Sequence, residues 1–447
     1  MSVTQTRGRT THWSPKVSAS RSIALILGVG AATIGVNVAG TYALTALCIM
    51  AATALAILQY GISNLLQSRT KADAFAIAFL LCICTTEVYN SIELHHPVNA
   101  GSIALWILAY VSSWPARLAT QRPGGFESFA ISFSLPAVAV SLIAVAQMMR
   151  VDGVNELLLK FVNTSGLEQR LSISRDIRAT SLIGHQIGLG AYLCSILALL
   201  GSALILRHQR MARKRIPSII WLTSFVGQLA TVTFATTGIA LAVAAATALK
   251  LRIRMPIIAG AVIAAALGWA IFGSFISQRF AEQTSGVGKG NVTYAMLPET
   301  IGFRLDKWVT ETIPAAMQRP LTGWGYGVYE SSDNRWPVTP NGLNWMSPES
   351  EWFRTLISAG IPALVLQLMM IASIYTITFA GSSSAAYRSP LKVFFIGLIC
   401  ASVIHNHLTG PGTVVSLWAL LGAIWGYGNR PNDSAEMDRQ QPRDARS

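Results

Sequence analysis

The chain alternates long apolar runs with short, basic connections, and a single polar stretch, 277–351, is far longer than the rest. The apolar runs fall at Ser22–Val38, Tyr42–Leu58, Ala72–Thr86, Gly101–Trp114, Phe129–Met149, Ser181–Leu206, Ile219–Phe234, Gly238–Leu249, Ile257–Ile276, Trp352–Phe379, Val393–Ile404 and Val414–Tyr427. A straight helical crossing of a bilayer takes roughly 20 apolar residues. The pattern therefore predicts an all-α polytopic membrane protein of about 12 transmembrane helices, the shorter runs borrowing flanking residues or dipping only partway. It divides the chain into a tail at 1–21, a transmembrane region at 22–276 of about nine spans, the large loop at 277–351, a second transmembrane region at 352–428 of about three spans, and a charged tail at 429–447 predicted to be disordered.

Composition agrees with the pattern. Charged residues make up 12% of the chain, against roughly 25% in soluble domains. The net charge of +14 does not mark a nucleic-acid binder, because the basic residues cluster between apolar runs. Alternate connections carry Arg69 and Lys71, Arg117 and Arg122, Arg207 to Arg215, Lys250 to Arg254, and Arg388 and Lys392. The intervening ones, around Gly40, Glu93, Thr236 and His407, carry almost none. That alternation predicts both termini in the cytoplasm and puts the large loop, with the shorter polar segment 150–178, on the outer side. The first run lacks a small-residue cleavage pattern after it, so a retained anchor is expected. All five cysteines sit inside apolar runs, which argues against a disulfide framework or a zinc site.

Candidate chemistry lies where charge persists on the outer side. In RATSLIGHQIGLGAYL, Arg178 and His185 are seven residues apart and would share a face if that stretch were helical. They read either as a phosphate clamp or as a snorkelling arginine beside an interfacial histidine. Arg304 and Trp308 are four apart on a predicted helix, Gly302–Met317, and the glycine-rich turn that follows holds Trp324 and Gly325. The tryptophans offer flat faces for sugar rings, or belt the membrane interface. Ser347 and Pro348 look like a helix start with Glu349 and Glu351 in its first turn. Those acids either complement the helix dipole or supply a general base for a hydroxyl.

The order of these motifs (an Arg–GHQxGLGxYL entry to a span, a large outward loop with RxxxW and P-x-x-GWGYG, then a polar-acidic start ending LxxxG-x-P) resembles the bacterial O-antigen ligase and polysaccharide polymerase family. The resemblance covers about Arg178 to Leu364. It implies a GT-C-like helical fold in the bacterial inner membrane, needing no metal, cofactor or sugar nucleotide. The activity implied is transfer of a glycan from an undecaprenyl-diphosphate carrier to an acceptor hydroxyl, on lipid A–core in ligases or on another carrier-linked glycan in polymerases. By the same resemblance, Arg178 and Arg304 hold the diphosphate, His185 lines their cavity, and Glu349 stands where ligases usually carry a histidine. Trp308, Trp324, Gly325 and Glu351 join the substrate-binding set. An arginine that the family tends to place in an earlier hairpin is absent at Thr236-Thr237-Gly238, and Arg279 is a candidate substitute. Two rival classes are a flippase for lipid-linked glycans, which is expected to show inverted repeats and mid-membrane charge, and a structural subunit of an envelope assembly.

Overall fold

The computed structural model describes residues 15–37, 42–162, 167, 178–211, 214–251, 273–274, 277–278, 281, 299–328, 338–344, 347–379, 386–410 and 412–428. Among these, regular structure is helical, apart from one isolated bridge between Val36 and Val162. In chain order the α-helices are α1 (Pro15–Ala32), α2 (Ala43–Tyr60), α3 (Ile62–Gln67), α4 (Lys71–Leu94), α5 (Ala100–Thr120), α6 (Gly125–Ser134), α7 (Pro136–Met148), α8 (Val154–Phe161), α9 (Gln186–Gln209), α10 (Arg215–Leu229), α11 (Phe234–Leu251), α12 (Glu299–Lys307), α13 (Ile313–Gln318), α14 (Glu351–Phe379), α15 (Arg388–Ala401) and α16 (Ser416–Gly428). Six stretches are long and apolar enough to cross a membrane: α2, α4, α6 with α7, α9, α11 and α14. The apolar run Ile257–Ile276 lies almost wholly outside the described residues.

Helix α9 is the axis. Its sequence is apolar or small on every side, and from Gly188 to Leu206 every residue is buried. A helix without a polar face has to be surrounded by protein or lipid, and here α6, α10, α11, α15 and α16 surround it. Close approach is made by small residues, as in membrane bundles generally. A Cβ on Gly190 would lie 2.3 Å from Thr236 Oγ1, and one on Gly422 would lie 2.1 Å from the Ser113 carbonyl oxygen. Peripheral helices instead turn large apolar side chains outward, among them Leu47, Leu58, Leu81, Ile92 and Leu142.

The helix ends define two faces. On one, Arg117 is buried inside α5, although its sequence context reads as a basic connection. Its guanidinium donates to both carboxylate oxygens of Asp73 of α4 (2.9 and 3.0 Å) and to the Ser68 carbonyl, and it lies over the ring of Trp425 of α16. The opposite face, here the loop face, gathers the described residues 94–100, 178–186, 299–328, 338–344, 347–350, 402–410 and 412–415. The candidate residues that the structure describes lie there.

Candidate functional site

The start of α14 organises the loop face. The helix begins at Glu351, and Glu349 sits before it with a left-handed backbone (φ 48°). Glu349 therefore does not stand in the first helical turn that the Ser-Pro start predicts, and the helix dipole does not explain it. The left-handed bend turns its side chain away to meet Arg304 at 2.5 Å, with both side chains partly exposed. Beside this pair, Trp308 packs on Phe353 and donates its indole N–H to the Pro348 carbonyl (2.6 Å). Arg304 stands in the last turn of α12, and Trp308 opens a π-helical turn, Trp308–Thr312, through which the predicted helix Gly302–Met317 runs on into α13.

Glu351 is buried and structural in its contacts. Its carboxylate accepts from the backbone N–H groups of Leu408 and Thr409 and from the Thr409 hydroxyl (3.1 to 3.3 Å), while its own N–H donates to the Ser402 carbonyl. It thereby pins the 402–415 connection to α14. One turn further along, Arg354 points into a cavity of about 320 Å³ lined also by Tyr42, Asn99, Ser102, His185, His405 and Asn406. Its guanidinium makes two long contacts, to Ser102 Oγ (3.3 Å) and Thr409 Oγ1 (3.5 Å). His185 caps α9, its Nδ1 accepting from the Gly188 N–H at 3.3 Å, and its ring stacks on His405 (5.5 Å, 9° between planes). His405 in turn meets His407 edge-on at 5.3 Å. Burial, and then the neighbouring His405, push His407 down to about 3. Burial raises Tyr42 above the usual phenol range, and the field of Arg354 opposes the rise.

A second structural device holds the loop against the bundle. At Gly360 the backbone of α14 leaves the helical region (φ 79°, ψ −178°), and Pro362 follows without an N–H. Two carbonyls of the broken turn, Ile357 and Ser358, accept instead from the N–H groups of Trp324 and Gly325 (both 2.8 Å), and Ile361 donates to Pro320 (2.7 Å). The segment that follows is held by α4. Glu87, fully buried, accepts from the N–H groups of Tyr326 and Asn99 (2.7 Å each). Asn90 donates to the Thr322 carbonyl, and Arg319 bridges Asn90 and Glu93.

The residues singled out from sequence thus divide. Arg304 and Glu349 meet, and His185 lines the Arg354 cavity. Arg178 lies at the start of the lead into His185, its neighbour Ala179 bonding to Ala230, and it does not line that cavity. Residues 178–180 carry no regular structure, Ser181–Ile183 is a 3-10 turn and Gly184 is left-handed, so the two side chains do not share a helix face. Trp308 and Trp324 are buried, and Trp324 spends its N–H on the Ala315 carbonyl, so neither ring face is open to a sugar here. Gly325 permits close approach, but to His96 and Glu87. Arg279, Trp336 and Trp345 lie outside the described residues. Arg354, His405 and Asn406 were not singled out. The available signals were a basic residue one turn beyond Glu351 and a polar His-Asn-His run between apolar segments.

Compared with known families, residues 218–368 match the family described as O-antigen ligase. No curated protein sequence matches the chain. The matched stretch, about a third of the chain, holds Arg304, Glu349, Glu351 and Arg354, together with the Trp324–Gly325 clamp and Gly360. It supports the resemblance read from the motifs and a membrane function of the O-antigen ligase or polymerase type. His185 and His405 come from outside it and are brought to the Arg354 cavity by the fold; Arg178 also lies outside it and does not line that cavity.

Proposed function

We propose that this protein is a membrane glycosyltransferase of the bacterial inner membrane. It moves a glycan from an undecaprenyl-diphosphate carrier to an acceptor hydroxyl, with the loop face outward and both termini in the cytoplasm. The observation that carries this reading is the Arg304–Glu349 pair, part-exposed beside the start of α14 and inside the family-matched stretch. In the reaction, the acceptor oxygen bonds to the anomeric carbon and gives its proton to the Glu349 carboxylate. The bond from that carbon to the diphosphate oxygen breaks, and the diphosphate leaves with the electron pair. Arginine is suited to the leaving group because its planar fork meets two phosphoryl oxygens at once. An incoming diphosphate competes with Glu349 for Arg304, and that competition frees the carboxylate to accept a proton. Arg178 is the second cation on which this reading draws.

The test is transfer by purified protein in nanodiscs, supplied with lipid-linked oligosaccharide and candidate acceptors, without sugar nucleotide. Wild type should lengthen or transfer the glycan, and Glu349→Gln should lower turnover by about 10²–10⁴. Near-normal transfer by that variant removes Glu349 from the chemistry, and movement of intact lipid-linked glycan without transfer makes the protein a flippase.

A further inference from the structure

The helical course 299–318, formed by α12, the π-helical turn and α13, lacks the polar outer face of a helix that looks into water. Its inward face, Trp308, Glu311, Thr312, Ala315 and Ala316, is buried and includes a carboxylate and a hydroxyl. Glu311 is satisfied there by Lys307 (2.5 Å) and by the Asn344 N–H (2.9 Å). The outward face carries Val309, Ile313 and Met317, four residues apart and all exposed, and exposed Leu321 extends the stripe beyond the helix end. A surface helix in water turns its apolar side inward, and a contiguous exposed apolar stripe marks a face that something covers.

We propose that this face rests on the bilayer, with Val309, Ile313, Met317 and Leu321 seated where head groups meet acyl chains in the leaflet on the loop face. The lipid surface is favoured over a protein partner by where the stripe leads. The turn 319–322 is fastened to two spans: Arg319 pairs with Glu93 and Asn90 donates to the Thr322 carbonyl on α4, while Ile361 of α14 donates to the Pro320 carbonyl. Both α4 and α14 are long and apolar enough to cross a membrane. Ile92, next to Glu93, and Ile361 itself are exposed, so the stripe runs on into the surface that these spans present to lipid. Tyr89, exposed one turn before Glu93, is of a residue type enriched at the membrane boundary. A helix lying in the interface plane buries its apolar side at that same depth. Arg304 stands one turn before Trp308 on this course, so the Arg304–Glu349 pair is carried at head-group level, within about 10 Å of the acyl boundary, the width of one helix.

This inference stands without the transferase reading, and its test needs no turnover, so the two fail separately. The full-length protein is placed in phosphatidylcholine nanodiscs loaded with one copy each. A phosphatidylcholine with a diazirine at the top of one acyl chain is photolysed with wild type and the adducts are mapped by peptide mass; adducts are expected on 309–321. In parallel, Ile313→Cys, Met317→Cys and Leu321→Cys, all at exposed positions, meet a water-soluble maleimide, with the wild-type signal subtracted. Each should react at least about tenfold more slowly than Thr310→Cys, because apolar surroundings keep a thiol protonated; Thr310 is exposed on the flank of the same helical course. Rates equal to that of Thr310→Cys would turn the stripe to water and leave it as a surface for a soluble partner. Slow reaction without lipid adducts would mean that the protein's own loop covers it. Either result overturns the assignment, and the mapping on wild type decides the matter where a variant fails to fold.

Discussion

Gly360→Ala is the substitution that most sharply tests how the outer loop is held. At φ 79° and ψ −178° the residue occupies a region essentially reserved for glycine, and forcing another residue there costs about 1–3 kcal/mol. A Cβ would also lie 2.5 Å from the Leu321 carbonyl oxygen, 2.6 Å from its carbon and 2.8 Å from the Pro320 oxygen. These are backbone atoms, so relief requires the 320–325 segment to back away from α14. Doing so stretches the three bonds that join them, from Trp324, Gly325 and Ile361, each worth on the order of 1 kcal/mol. The sum is about 3–6 kcal/mol against the clamped arrangement. Pro362 makes matters worse, because the Ser358 carbonyl has no N–H in its own helix to return to. The effect should be local: protease cleavage within 319–328, which depends on the open population, should rise at least about 100-fold in nanodiscs. Gly342→Ala is the control, since it shares a positive φ (81°) but has nothing within 4 Å of its Cβ, so only backbone strain is felt. If Gly360→Ala is no more cleavable than Gly342→Ala, the loop is not held by this clamp.

Three further outcomes follow from the same contacts. Reversing the Arg304–Glu349 pair as Arg304→Glu with Glu349→Arg should leave thermal stability within about 1 kcal/mol, as for any part-exposed pair, yet should not restore glycan transfer; restored transfer would make the pair merely structural. His407 resists protonation in the folded state, so the unfolded chain takes up its proton near pH 6.5 while the native one waits until about 3. Stability should therefore fall as pH drops through that window, by about 2 kcal/mol at pH 5, and His407→Gln should flatten the slope of melting temperature between pH 7.5 and 5. Arg117→Ala strands a buried Asp73 and should cost about 3–5 kcal/mol, with Arg117→Met plus Asp73→Leu recovering most of it; a melt in detergent reads both.

What the sequence carried well was anything written locally. Apolar runs mark the helices because a bilayer leaves the backbone no partner but itself, and α9 could be picked out from its unbroken apolar length. Helix ends were read less well, in some places too long, as at Val38 where α1 ends at Ala32, and in others too short, and where they fell short the reason is physical. Hydropathy stops the third apolar run at Thr86, but α4 continues two turns to Leu94 because Glu87 and Asn90 find partners in the loop, more than two hundred residues away. In the same way α5 runs past Pro115 and Arg117 to Thr120, since Asp73 neutralises the arginine. Charge that looks like a terminator becomes tolerable once the tertiary fold supplies its counterpart. Within the candidate site, Arg304 and Glu349 were nameable from motif order alone. Arg354 was not, because what sets it apart is the cavity it shares with His185 and His405 from distant parts of the chain, and that is a property of space rather than of spacing.

The loop face holds two arginines beside carboxylates, each coupled in a different way, and that difference bears on how a charged lipid would be handled. Arg304 meets Glu349 directly at 2.5 Å, so any anion that engages it must first displace that carboxylate. Arg354 faces hydroxyls and imidazoles in a cavity, and the buried Glu351 carboxylate, about one helical turn back, is coupled to it through the Thr409 hydroxyl that both contact. Glu351 is also fixed by the Leu408 and Thr409 N–H groups, so it stays where it is. On the proposed reading the cost of opening the Arg304–Glu349 pair falls on the step that consumes the donor, so the carboxylate is released as a base only when a diphosphate is there to take its place.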